Sequence, residues 1–128
     1  MPADDLSRTS NRLLLAGAAL GGSGVLLGAF GAHALRATLD EGALGWWQTA
    51  VQYQMWHALA LLALAGAPLA RRGGAAALIG GGVLLFSGSL YAMALTGLRP
   101  LGAVTPIGGL LMILGWAALA IGALRQGR

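Results

Sequence analysis

From Leu13 to Ala32 the chain runs 20 residues without a charged side chain, about what a helix needs to cross a roughly 30 Å hydrocarbon core. In lipid every backbone amide must be satisfied inside the segment or in a closed barrel, so one long apolar run reads as a helix. Two further runs repeat it. Ala75 to Leu95 covers 21 residues whose only polar groups are hydroxyls, and another run extends from Leu101 to Leu124. Arginine with Gly or Pro punctuates the gaps, as RRGG at Arg71 to Gly74 and TGLRP at Thr96 to Pro100. Charged residues are 9% of the 128-residue chain, against about 25% in a soluble domain. Too few polar groups exist to cover its surface, so lipid must do so.

Between the first two of these runs lies the mixed stretch VQYQMWHALALL, Val51 to Leu62. The strictly apolar part after His57, Ala58 to Ala70, has 13 residues, about 20 Å of helix. That is roughly 10 Å short of a crossing. About seven more residues, at a rise of about 1.5 Å each, carry the helix back to Val51. Gln52, Tyr53, Gln54 and His57 are therefore expected at membrane depth. Trp46 and Trp47 are expected at the lipid–water interface, where indoles are favoured. Asp40, Glu41 and Gly42 fall in the preceding loop, with a short surface helix over Gly42 to Thr49. The expected fold is an all-α integral membrane protein, one membrane domain over residues 1–128. It has an N-terminal tail at 1–12 and a bundle of four transmembrane helices at about 13–35, 50–70, 74–96 and 101–124.

With four spans, both termini and the RRGG loop share a side. That side carries Arg8, Arg12, Arg71, Arg72, Arg125 and Arg128, while the other carries Arg36 and Arg99. Six against two places both termini in the cytoplasm by the positive-inside rule. The Ala32-His33-Ala34 triplet imitates a signal-peptidase site. The apolar run before it is longer than a signal core of about 7–15 residues, so the first span is expected to be retained.

Glycine accounts for 22 residues and falls inside the apolar runs. In the first span Gly17, Gly21, Gly24, Gly28 and Gly31 follow a four-three spacing that lines one helix stripe. The fourth span repeats it with Gly108, Met112, Gly115, Leu119 and Gly122, and the third offers Gly74, Gly81 and Gly88 at heptad intervals. Small residues let helix backbones approach closely in lipid. Packing within the bundle is the expected use, and a homo-oligomer interface is the alternative.

Placed by depth, His33, Gln52, Tyr53, Gln54, His57, Ser87, Ser89, Tyr91 and Thr105 gather in the half of the membrane away from the cytoplasm. The other half is almost all Gly, Ala, Leu, Ile and Val. Polar side chains in hydrocarbon are costly unless paired, so the layer should face inward. It either hydrogen-bonds helix to helix or forms a pocket for a lipid headgroup, quinone or other small amphiphile. Tyr53 and His57, four apart, share a face, as do Gln54 and His57, three apart.

Several function classes are excluded by what is missing. Cysteine is absent, and all four acids, Asp4, Asp5, Asp40 and Glu41, lie outside the spans. His33 and His57 differ by about 9 Å in depth with no carboxylate or thiolate to complete a shell, so neither a metal nor a haem cofactor is expected. No Asp orients His57 toward Ser87 or Ser89 for hydrolysis, and the chain is read as not an enzyme. Arginines are scattered and not interleaved with aromatics, which argues against nucleic acid. Proton-coupled export needs an intramembrane carboxylate, and a channel needs a polar path that the cytoplasmic half lacks beyond Ser23.

Four blocks, GAFGAHALR at Gly28 to Arg36, WWQTAVQYQMWHALALL at Trp46 to Leu62, FSGSLYAMALTG at Phe86 to Gly97 and LGAVTPIGGL at Leu101 to Leu110, resemble the YgdD/YwdK-like family. These are small bacterial inner-membrane proteins carrying a domain of unknown function, with mitochondrial relatives. The resemblance covers nearly the whole chain after its first dozen residues. It implies a four-helix membrane protein with no established enzymatic activity. Its motif positions here are Gly28, Phe30, Gly31, His33, Gln52, Tyr53, His57, Ser87, Gly88, Tyr91, Thr105, Pro106 and Gly108, and it implies no catalytic role for any. The expected function is an accessory or assembly component of a larger membrane complex, in contact with the lipid bilayer. A membrane binding module using the polar layer is the alternative, and a channel or transporter ranks third.

Overall fold

After Pro2 nothing interrupts a helix for many turns, and Asp4 and Asp5 put negative charge where the helix dipole favours it. The computed structural model describes residues 2–69 and 71–128, and its first helix, α1 (Ala3–His33), starts there. The stretch expected as a tail over residues 1–12 is thus helical from Ala3 onward. Met1, at the start of that tail, and Ala70, the expected inner end of the second span, lie outside the described residues. At 31 residues, α1 is about 46 Å long, so its first turns extend beyond a hydrocarbon core of about 30 Å.

Asp40 caps the next helix, α2 (Glu41–Ala65), its carboxylate accepting from the Ala43 N–H at 2.7 Å. No breaker follows until Gly66, so the surface helix expected over Gly42 to Thr49 is instead the first turns of α2. Helix α3 (Arg72–Thr96) follows Arg71, which adopts a left-handed φ of 62°, and ends at Gly97, φ 72°. Gly97 takes that conformation without a Cβ clash. A short 3-10 turn at Arg99–Ala103 leads into α4 (Thr105–Gln126), whose first turn holds Pro106. Regular α-helix thus begins at Thr105, and the residues from Leu101 expected at the start of the fourth span lie in the 3-10 turn before it. Among the described residues there are no strands. Three segments, Ala3–Ala37, Arg72–Thr96 and Arg99–Gln126, are long and apolar enough to cross a membrane. Helix α2, with its polar first half, is not among them.

Each helix packs on its neighbour in the chain: α1 on α2, α2 on α3, and α3 on α4. Among the described residues helix α1 touches α3 lightly, and α1 and α4 do not pack along their length. The bundle is open, with α2 and α3 central. The largest fully buried side chains among the described residues, Leu61, Ile79 and Val83, come from these two helices.

The glycine stripes of α1 and α4 lie against the chain itself. A Cβ on Gly17 would meet the Leu62 side chain at 2.8 Å and the Ala58 carbonyl at 3.0 Å, and one on Gly24 or Gly31 would strike Met55 or Trp47 of α2. Gly21 and Gly28 also face α2, with Ala58 at 3.8 Å and Val51 at 3.3 Å. Against α4 the contact is with Gly82, which periodicity did not single out: its Cβ would lie 2.7 Å from the Gly108 carbonyl oxygen. Gly115 faces Ile79, and Gly122 faces Leu69 at ordinary contact distance. Among the described residues, Gly74, Gly81 and Gly88 have nothing within 4 Å of a Cβ, so they make no close helix contact there.

Candidate functional site

Gln54 stands at the centre of the polar layer because α2 lies antiparallel along α1, with Met55 and Gln54 level with Gly24. Its amide is fully engaged. Nε2 donates to the Leu20 carbonyl and to Ser23 Oγ, each at 2.8 Å, and Oε1 accepts from the Tyr91 hydroxyl at 2.7 Å. One buried side chain therefore joins α1, α2 and α3. The Ser23 hydroxyl in turn donates to the Ala19 carbonyl at 2.7 Å.

His57, one turn further along α2, ties to α4. Its Nδ1 is 2.7 Å from the Tyr53 carbonyl oxygen, which can only accept, so Nδ1 carries the proton. Nε2 then accepts from the Trp116 indole N–H at 3.0 Å. Both ring nitrogens are engaged, leaving neither for a metal or ligand. Trp116 was not a sequence candidate, since an indole in an apolar span reads as lipid-facing, and about half of its surface does remain exposed.

Two hydroxyl links complete the layer. Ser87 Oγ donates to the Ala50 carbonyl at 2.7 Å, joining α3 to α2, and the Ser89 and Thr105 hydroxyls are 2.6 Å apart, joining α3 to α4. Trp47 sits at the expected end but is buried, its Nε1 donating to the Leu27 carbonyl at 2.8 Å and its ring edge-on to Tyr91 at 4.6 Å. Tyr53 is half-buried in an aromatic group with Phe86, Trp56 and His57. His33 and Gln52 do not join the layer. His33 is exposed at the last turn of α1, and Gln52 points outward from α2. Their polarity suits the depth at which they sit, but depth alone does not say which face of the helix they occupy.

Among the described residues no buried side-chain N or O atom lacks a hydrogen-bond partner. The layer is a set of cross-ties. Gln54→Leu removes three of them and leaves the Tyr91 hydroxyl unpaired, while the Leu20 carbonyl keeps Ser23 Oγ at 3.3 Å, an expected loss of about 2 kcal/mol. Tyr91→Phe costs less, about 1 kcal/mol, and the double variant loses less than the two together. Equilibrium unfolding in detergent measures this cycle, and additivity within about 0.3 kcal/mol would dissolve the proposed coupling.

A second polar centre lies at the other end and was missed in sequence. Arg72 is 8% exposed, and its Nη1 donates to the carbonyls of Leu64, Ala65 and Ala67 at 3.2, 3.0 and 2.8 Å. Nη2 donates to the Leu6 carbonyl at 3.2 Å and to Ser10 Oγ at 2.7 Å. These acceptors include the open carbonyls of the last turn of α2, where the helix dipole is negative. Gln126 Nε2 also donates to the Pro68 carbonyl. The start of α1, the α2–α3 connection and the end of α4 thus meet at one arginine-rich end.

Comparison with known proteins places this arrangement among relatives. Residues 27–109, from late α1 to early α4, match the family model described as "Protein of unknown function (DUF423)". The chain is 43% identical over 124 residues to the UPF0382 inner membrane protein YgdD of Escherichia coli, covering 94% of this chain and 95% of that one. It is 48% identical over 97 residues to a UPF0382 membrane protein of Staphylococcus haemolyticus, covering 73% and 80%. A relative in Staphylococcus epidermidis is 46% identical over 101 residues, covering 77% and 83%. No solved structure matches the chain.

Proposed function

The chain belongs to the DUF423 family of membrane proteins, which its four motif blocks already resembled, and from that premise we propose a non-enzymatic accessory component that docks laterally in a larger membrane complex. Gly74, Gly81 and Gly88 of α3 carry this reading. They share one face at heptad intervals and, among the described residues, have nothing within 4 Å of a Cβ. Glycine inside a helix costs roughly 0.5–1 kcal/mol relative to alanine, and the close approach of another membrane helix gives it a use. A ligand pocket in the polar layer has less support, because Gln54, His57, Ser87 and Tyr91 are already bonded to one another's helices.

The same proposal has all four helices crossing and both termini in the cytoplasm. Two observations support it: α2 runs beside α1 at the depth of Gly17 to Gly31, and six of the eight arginines fall at the end where Arg72 and Gln126 make their ties. Extraction of tagged protein in gentle detergent, followed by sizing and mass spectrometry of partners, tests the docking role. Co-migration with larger membrane proteins is expected. Gly88→Leu should abolish it without changing the melting temperature of the isolated chain, since the position is open. A lone chain at native expression, unaltered by Gly88→Leu, would sink the proposal.

A further inference from the structure

Helices α1 and α3 touch lightly, with Thr9 at 3.8 Å from a Cβ on Gly73, and leave a groove of about 640 Å³ between them, floored by Leu61 of α2. Its walls are small, Ala16 on α1 facing Gly80 and Gly81 on α3, and its mouth carries Thr9 and Arg12. The lining on α3 extends from Gly73 to Leu84, about 16 Å of helix. That is the depth of one leaflet, half of a core about 30 Å thick. An apolar slot of leaflet depth with a cation at its headgroup end is complementary to one molecule type, a lipid with an anionic head.

Charge supports the same occupant. Among the described residues no carboxylate lines the groove. The adjoining N-terminus of α3 has no side-chain cap and no acid in its first turn, so its positive end adds to Arg12. Guanidinium groups match phosphate oxygens with paired hydrogen bonds. We propose that this groove holds one acyl chain of an anionic phospholipid from the arginine-rich leaflet, with its phosphate on Arg12 and Thr9. The site lies at the end opposite the polar layer. It does not depend on the accessory role, although Gly81 also belongs to the docking stripe, so docking is tested at Gly88, outside the groove.

The test uses the full chain, purified in detergent, stripped of lipid and offered phosphatidylglycerol or phosphatidylcholine in defined amounts, with retention read by native mass spectrometry. The intact chain should prefer phosphatidylglycerol by about fivefold, the factor for roughly one charge at a membrane surface. Arg12→Gln should keep binding but lose the preference. Gly81→Leu should fill the slot and cut retention by about tenfold. It has open space around its Cβ, and Ala16→Leu repeats the test from the opposite wall should Gly81→Leu misfold. Gly88→Leu, beyond the groove, should retain lipid as the intact chain does. Equal retention of the two lipids by the intact chain, or undiminished retention in both groove-filling variants, overturns the proposal. So does a dimer that Gly81→Leu converts to monomer with no change in lipid, which would give the groove to a second copy. Loss of partner co-migration, by contrast, bears only on the accessory role.

Discussion

Arg72→Ala lowers the melting temperature of the purified protein by about 10 °C or more. The guanidinium is buried and donates to four carbonyls and one hydroxyl on two other segments of chain. Removing it takes the donor from the Ala65 and Ala67 carbonyls at the end of α2 and frees the start of α1. Taking away one partner of a buried charged network costs about 3–5 kcal/mol. Its partners here are carbonyl dipoles, and the negative end of α2 supplies the compensating field. Arg72→Lys should recover less than half of the loss. An ammonium is a point charge on a flexible stem and cannot span both α1 and α2 as a planar fork does. Neighbouring Arg71 is exposed, so Arg71→Ala is expected to shift melting by less than about 2 °C. Thermal unfolding of the three variants in one detergent decides the matter. Equal melting of Arg72→Ala and the unaltered chain would remove the cap from any account of stability.

Gly108→Ala should separate α3 from α4. A Cβ there would strike the Phe86 backbone amide and lie 2.6 Å from the Gly82 carbonyl oxygen, and Gly82 meets the Gly108 carbonyl in return. Both obstacles are backbone, which cannot rotate away, so the helices must part along their length. Overpacking of this kind costs about 3 kcal/mol. At Gly24 the obstacle is the Met55 side chain, which has three rotatable bonds and can yield, so Gly24→Ala should cost about 1 kcal/mol or less. At Gly81 the space is open, and alanine should be neutral or slightly stabilising. The expected order of melting temperatures is therefore Gly81→Ala highest, then Gly24→Ala, then Gly108→Ala. A variant series in which all three behave alike would mean that the backbone contact between Gly82 and Gly108 is not what holds α4.

Much of this architecture was legible before the structure. Charge-free runs of about 20 residues read as membrane helices because lipid leaves a backbone few alternatives. The glycine spacing of α1 and α4 identified the contact stripes, since helical geometry puts residues three and four apart on one face. The polar layer was legible as a depth, with Gln54, His57, Ser87, Ser89, Tyr91 and Thr105 brought into it and His33 and Gln52 left outside. Periodicity misjudged α3, where Gly81 and Gly88 are open and Gly82 makes the contact. Three adjacent glycines, Gly80 to Gly82, present small residues on every side, so composition could not say which side a partner occupies.

The sequence by itself determined the helical class, the apolar lengths that suit a hydrocarbon core and the faces that could pack closely. These follow from hydrocarbon thickness and helix geometry, which act on each segment alone. The tertiary structure decided which groups meet. Two identical arginines stand side by side at 71 and 72, yet only Arg72 turns inward. The acceptors that hold it, the end carbonyls of α2 and Ser10 of α1, come together only once α1, α2 and α3 have docked. Gln54, His57 and Trp116 were likewise readable one at a time. Whether they formed a pocket or a set of ties rested on helix order, because a hydrogen bond is set by the distance between two chains and one chain's pattern does not contain it.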